Sequence, residues 1–168
     1  MKNLIVILVA LTCSLSAFGQ SKDVVDIAIG SADHTTLVAA VKAADLVTTL
    51  KSDGPFTVFA PTNAAFDKLP EGTVASLLEP ANKAQLANIL TYHVVSGNVN
   101  AAGVVAAIKK GKGSAELTMV NGGKLTASMD GAKVVLTDEN GNKSYVTATD
   151  LTGSNGVVHV IDTVLLPK

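Results

Sequence analysis

Between residues 35 and 110 apolar side chains return every three or four positions, the period of helices that bury one face. Asp33 or Thr35 can cap a segment in which Leu37, Val41, Ala44, Val47 and Leu50 share a face, and Asp53-Gly54-Pro55 stops it. Phe56-Thr57-Val58-Phe59 is a short strand-like run ended by Pro61, after which Thr62 or Asn63 can cap a short helix over 64–69. Further helices are predicted over 73–80, over 82–94 through Leu86, Ile89, Leu90 and His93, and over 101–110.

The period then changes. Residues 116–120, 124–129, 133–137, 143–149 and 157–166 are β-rich, and Asn121-Gly122, Asp130-Gly131, Asn140-Gly141 and Asn155-Gly156 separate them. Such dipeptides supply the positive φ angles of tight hairpins. Helices followed by an antiparallel meander make an α+β arrangement, and the strand at 56–59 must return to join the sheet, which makes one domain.

The N-terminus has a pattern of its own. Lys2 precedes the apolar run 4–11, and small and polar residues follow up to Ala17-Phe18-Gly19. This is the layout of an export signal cut before Gln20, so residues 1–19 are expected as leader and 20–168 as the working domain. The apolar run is far shorter than the roughly 20 residues that span a bilayer, and no later segment reaches that length. Cys13, the one cysteine, raises the alternative of a lipid anchor, but Ala10-Leu11-Thr12 is a poor small-residue lipobox. Cleavage before Gln20 leaves no thiol, hence no disulfide, thiolate metal site or cysteine nucleophile. The expected location is periplasmic, secreted or at the cell surface.

Charge and chemistry narrow the function. In 168 residues the 13 cationic side chains are all lysine against 14 carboxylates, a formal charge of −1. A near-neutral chain without arginine has neither the field nor the bidentate donor that favours nucleic acid. His34, His93 and His159 lack zinc-binding spacing, and Ser154 is out of place for a nucleophile elbow. Neither a cofactor nor a metal is expected. The stretch 138–144 has oxygen donors at alternate positions, yet its glycine and twelfth residue do not fit a calcium loop, and a hairpin turn fits better. Asn142-Lys143-Ser144 is a formal glycosylation sequon, expected to be unmodified because the compact leader looks bacterial. Lys109-Lys110-Gly111-Lys112 suits a helix C-terminus, with contact to an acidic polymer as the alternative. His93 and His159 lie on apolar faces, where buried histidines usually satisfy their nitrogens within the fold.

Three segments taken together resemble fasciclin-type adhesion domains. Residues 56–66, Phe-Thr-Val-Phe-Ala-Pro-Thr-Asn-Ala-Ala-Phe, are similar to that family's first signature box, and 156–167 resemble its second. Tyr92-His93 stands where the family has its Tyr-His pair. The resemblance implies a wedge in which a helical layer packs on an antiparallel β-sandwich, with the two boxes as neighbouring central strands. It gives Phe59, Pro61, Thr62, Asn63, Phe66, His159 and Asp162 structural roles within the boxes. It also implies extracellular adhesion without catalysis, with Tyr92 and His93 as candidate partner contacts. Integrin-binding sequences of animal members also lie at an Asp-Ile pair, for which this chain has Asp150-Leu151, a departure in the second residue.

The leading expectation is an exported adhesion or protein-interaction module whose partner is a surface or matrix protein or a polysaccharide. A binder of a small ligand or polysaccharide, which needs a pocket with convergent polar groups, is the alternative. A hydrolase, which needs two titratable groups facing each other, is a further one. With no tryptophan or arginine and aromatics at 4%, a monomeric module should bind weakly and gain strength from many copies on one surface.

Overall fold

The computed structural model describes residues 22–168. The leader and Cys13 therefore lie outside the described residues. The helices are α1 (Val24–Ile29), α2 (Thr35–Ala43), α3 (Val47–Leu50), α4 (Asn63–Asp67), α5 (Thr73–Leu77), α6 (Lys83–Thr91) and α7 (Ala101–Lys110). The strands are β1 (Phe56–Pro61), β2 (Val94–Ser96), β3 (Ser114–Thr118), β4 (Lys124–Asp130), β5 (Lys133–Thr137), β6 (Lys143–Gly153) and β7 (Gly156–Ile161).

The strands follow the order β2-β1-β7-β6-β5-β4-β3, with β1 and β7 parallel and every other pair antiparallel. The long strand β6 belongs to both halves of the sheet. At the far edges a bridge between Val95 and Met119, and the Val120 amide donating to the Val94 carbonyl at 2.8 Å, draw the two halves together. Phe59, Tyr92, Leu125, Leu136 and Ile161 fill the space between the halves. On the other face of β1 and β7, Ala60 and Val158 pack against Leu37, Val41, Phe66, Leu86 and Leu90 of the helices. Both central strands are thus covered on both sides, which is why their sequences run apolar with little alternation. This is the α+β class that the periodicity predicts and the wedge that the family resemblance implies.

The helical segment predicted as far as Leu50 is two helices. Asp45 adopts φ 61°, while the amides of Asp45 and Leu46 donate to the carbonyls of Lys42 and Val41. That is a Schellman ending with aspartate in the place glycine usually takes. Lys112, at φ 59°, ends α7 in the same way. Two elements are additions to the predicted set: α1, opened by a capping box between Asp23 and Asp26, and β2. The period of α6 runs on into Val94-Val95, but those residues leave the helix to pair with β1.

Candidate functional site

The two signature segments meet along the β1–β7 pair, with Phe59 opposite His159. Their rings stack with centroids 5.6 Å apart. His159 Nε2 donates to the Val99 carbonyl at 2.8 Å and Nδ1 accepts from the Asp150 amide at 3.3 Å, so both ring nitrogens are used within the fold. Pro61 is buried at the end of β1 and Phe66 anchors α4 in the helical core.

Thr62 and Asn63 both cap, but they cap different helices. Thr62 Oγ1 accepts from the Ala65 amide of its own helix. Asn63 Oδ1 instead accepts from the Thr36 amide at 3.0 Å and the Thr35 hydroxyl at 3.2 Å, and its Nδ2 donates to the Ala32 carbonyl at 3.0 Å. The sequence offers both as local caps, and only the fold reveals that Asn63 serves α2. Thr57 has a comparable hidden role. Fully buried, its hydroxyl donates to the Gly97 carbonyl and accepts from the Val99 amide, which fixes the loop between β2 and α7.

Asp162 closes the second box. Burial opposes its ionisation, but the Tyr145 amide, the Thr163 hydroxyl and Lys68 outweigh that and hold its carboxyl below the ordinary value. Tyr92 and His93, named above as candidate partner contacts, sit in the interior. Tyr92 is 0% exposed and its hydroxyl donates to the Lys124 carbonyl at 2.6 Å while accepting from the Glu139 amide. His93 donates from Nδ1 to the Ile89 carbonyl at 2.8 Å and accepts at Nε2 from the Leu165 amide at 3.1 Å. Burial lowers its pKa from 6.5 to about 4. A partner docking on this surface meets neither ring.

Asp150 and Leu151 lie elsewhere, at an irregularity in the β6–β7 pairing. Asp150, at φ 58°, accepts from the Ala101 amide at the start of α7. Leu151 is 38% exposed. The structure therefore separates the four candidate contacts into two core side chains, one capping carboxylate and one exposed apolar group.

The calcium-like stretch is a turn. Asp138 is buried and its carboxylate accepts from the amides of Asn140, Asn142 and Leu166 and from the Asn142 side chain. An oxygen pair ringed by N–H donors has its lone pairs taken up within the turn and is poorly placed to ligate a cation. Among the described residues no group of three or more acidic, histidine or cysteine side chains is placed to hold a metal. Ser31 and His34 form a contact that sequence spacing did not single out, Ser31 Oγ to His34 Nδ1 at 2.8 Å. Burial lowers the histidine's pKa, and its Nε2 faces the Ala60 backbone without a well-formed hydrogen bond. The pair lacks the carboxylate on the second nitrogen that orients a catalytic base. A shallow polar depression of about 370 Å³ is lined by Asp53, Asn98, Ser154 and Asn155. The Asn155 amide is already engaged by Val24, Leu50 and Ser52.

Residues 32–167 match the family model described as Fasciclin domain. The chain belongs to the fasciclin domain family. This fasciclin domain is 49% identical over 154 residues to protein sll1483 of Synechocystis, an alignment covering 92% of this chain and 78% of the relative. It is 37% identical over 163 residues to immunogenic protein MPB70 of Mycobacterium bovis, covering 90% and 73%. Transforming growth factor-beta-induced protein ig-h3 of Sus scrofa is 40% identical over 144 residues, 86% of this chain but 19% of that much longer protein. Among solved structures, a domain pair from the insect cell adhesion molecule fasciclin I aligns with TM-score 0.59 and 23% identity over 77% of this chain and 43% of its own. That likeness establishes the fold.

Proposed function

We propose that this fasciclin domain works after export as a non-catalytic adhesion or protein-interaction module at the cell surface or in the surrounding matrix. One observation carries the reading. The polar groups of the signature segments and of Tyr92-His93 are taken up inside the fold, which leaves the outer surface as the part free to meet a partner. Signature residues that specify architecture do not themselves specify a ligand. The solved relative named for cell adhesion supports the class of function, and no helix among the described residues is long and apolar enough to cross a membrane. The partner is a surface or matrix protein or a polysaccharide, and Leu151 on the β6 irregularity is the first contact to examine.

Two measurements test the proposal. Mass spectrometry of the exported protein should find Gln20 at its N-terminus, and a lipidated Cys13 would replace free release with anchoring. The exported chain, immobilised on beads, should retain intact cells or their matrix, and Leu151→Asp should reduce retention without changing the melting temperature. Equal retention by beads bearing an unrelated protein of the same charge would contradict an adhesive role.

A further inference from the structure

Beneath α1 the helical layer encloses a cavity of about 40 Å³. Its walls come from α1, α2, α3, β1 and the end of α6. Every lining side chain is a hydrocarbon except two, His93 and Lys42. His93 contributes only ring edge, because both nitrogens are already bonded to Ile89 and Leu165. Lys42 is exposed, and the lysines that form ion pairs among the described residues are Lys51, Lys68, Lys83 and Lys124. The carboxylates nearest in α1's sequence, Asp23 and Asp26, are both paired to Lys51, at 2.8 and 2.6 Å. At the rim Ile29 is 51% exposed, the most exposed of the large hydrophobics among the described residues.

Close packing normally eliminates such a void, since wall atoms facing empty space lose their dispersion partners. Water gains little from an apolar wall that offers no hydrogen bonds, whereas a methylene does. The cavity thus favours hydrocarbon inside and, at Lys42, an anion outside.

We propose that this cavity takes the alkyl tail of an aliphatic monocarboxylate, with the carboxylate at Lys42. By a measure in which about 10–15 Å³ holds one water-sized group, the enclosed space takes roughly three or four methylenes. A longer tail leaves past Ile29. The wall at α1 is secured to the helical layer by exposed ion pairs of Lys51, which are weak latches.

The test is an NMR titration of the exported chain with butanoate, hexanoate, octanoate, decanoate and octanol. Amide shifts should concentrate at Ala28, Ile29 and Val38. Affinity should rise about fourfold per methylene, the equivalent of about 0.8 kcal/mol, until the enclosed space is full, and then level off. Octanoate should bind about two- to fivefold more tightly than octanol, the range of an exposed ion pair, and Lys42→Gln should remove that difference while leaving octanol binding unchanged. Ala28→Met, or Val38→Leu if the first variant folds poorly, fills the cavity and should weaken both ligands at least tenfold. Shifts scattered over the surface, affinity independent of chain length, or undiminished binding by a folded cavity-filling variant would overturn the proposal. An unchanged octanoate preference in Lys42→Gln would overturn the role of the lysine.

Discussion

The imidazole of His93, at the end of α6, accepts the amide hydrogen of Leu165 across 72 residues of sequence, at 3.1 Å. Its other nitrogen donates to Ile89. Only the neutral ring with hydrogen on Nδ1 can make both bonds. The Asp138 carboxylate accepts the next amide along the chain, that of Leu166, at 3.1 Å. Side chains from just past α6 and from the β5–β6 turn thus hold a C-terminal segment that has left the sheet after Ile161.

This arrangement makes the fold acid-sensitive. The folded pKa of His93 lies near 4, below the ordinary 6.5, so the unfolded chain binds more protons between those values and stability falls as pH falls through that window. Between pH 7 and 4.5 the loss from this residue should be about 2 kcal/mol. The lowered pKa of His34 acts in the same direction. The depressed Asp162 adds a separate loss as pH falls below the ordinary carboxylate range. Urea unfolding at a series of pH values checks this. His93→Gln should flatten the upper window while costing about 1–3 kcal/mol at pH 7.

The two adjacent caps should differ in weight. Asn63→Ala removes three bonds from the first signature segment, two to the start of α2 and one to the Ala32 carbonyl just before it, whereas Thr62→Ala removes one contact of 3.3 Å within its own helix. Both losses should fall within about 0.5–2 kcal/mol, with Asn63→Ala the larger. Equal midpoints and slopes in urea unfolding of the two variants would show that the link from Asn63 to α2 contributes nothing.

Glycine substitutions separate close approach from turn geometry. A Cβ on Gly156 would run into the Phe56 carbonyl, and one on Gly123 would stand 2.6 Å from Tyr92 Cε2. A backbone neighbour cannot give way as a side chain can, so Gly156→Ala should cost at least about 3 kcal/mol. Gly131 has open space and φ 61°, so Gly131→Ala carries only the left-handed strain of about 1–2 kcal/mol. Calorimetric melting of these variants should rank Gly156 above Gly131.

The sequence predicts best where one local signal governs. The hairpin at Asp130-Gly131 and the helix from Ala101 to Lys110 follow from turn dipeptides, a cap and a period, and both appear at the expected places. The break at Asp45 was hidden because aspartate stands where glycine would announce a helix end. Strand β2 was hidden because Val94 and Val95 continue the apolar period of α6, and only pairing with β1 decides their conformation. At the candidate site the burial of His93 and His159 followed from their apolar faces. The resemblance offers Tyr92 as a partner contact, and its burial is decided by hydroxyl partners, the Lys124 carbonyl and the Glu139 amide, that lie 32 and 47 residues away. Long-range partners of this kind leave no local trace.

One copy of this domain should make only weak contact and many copies useful adhesion, since the chain has no tryptophan or arginine to dominate an interface. The most direct measurement compares the soluble exported monomer with the same chain displayed at high density on beads, against one cell surface or matrix preparation. The monomer should show little saturable binding, and retention should be strengthened about 10²–10⁴-fold on the beads. Tight, saturable nanomolar binding by the monomer alone would contradict it.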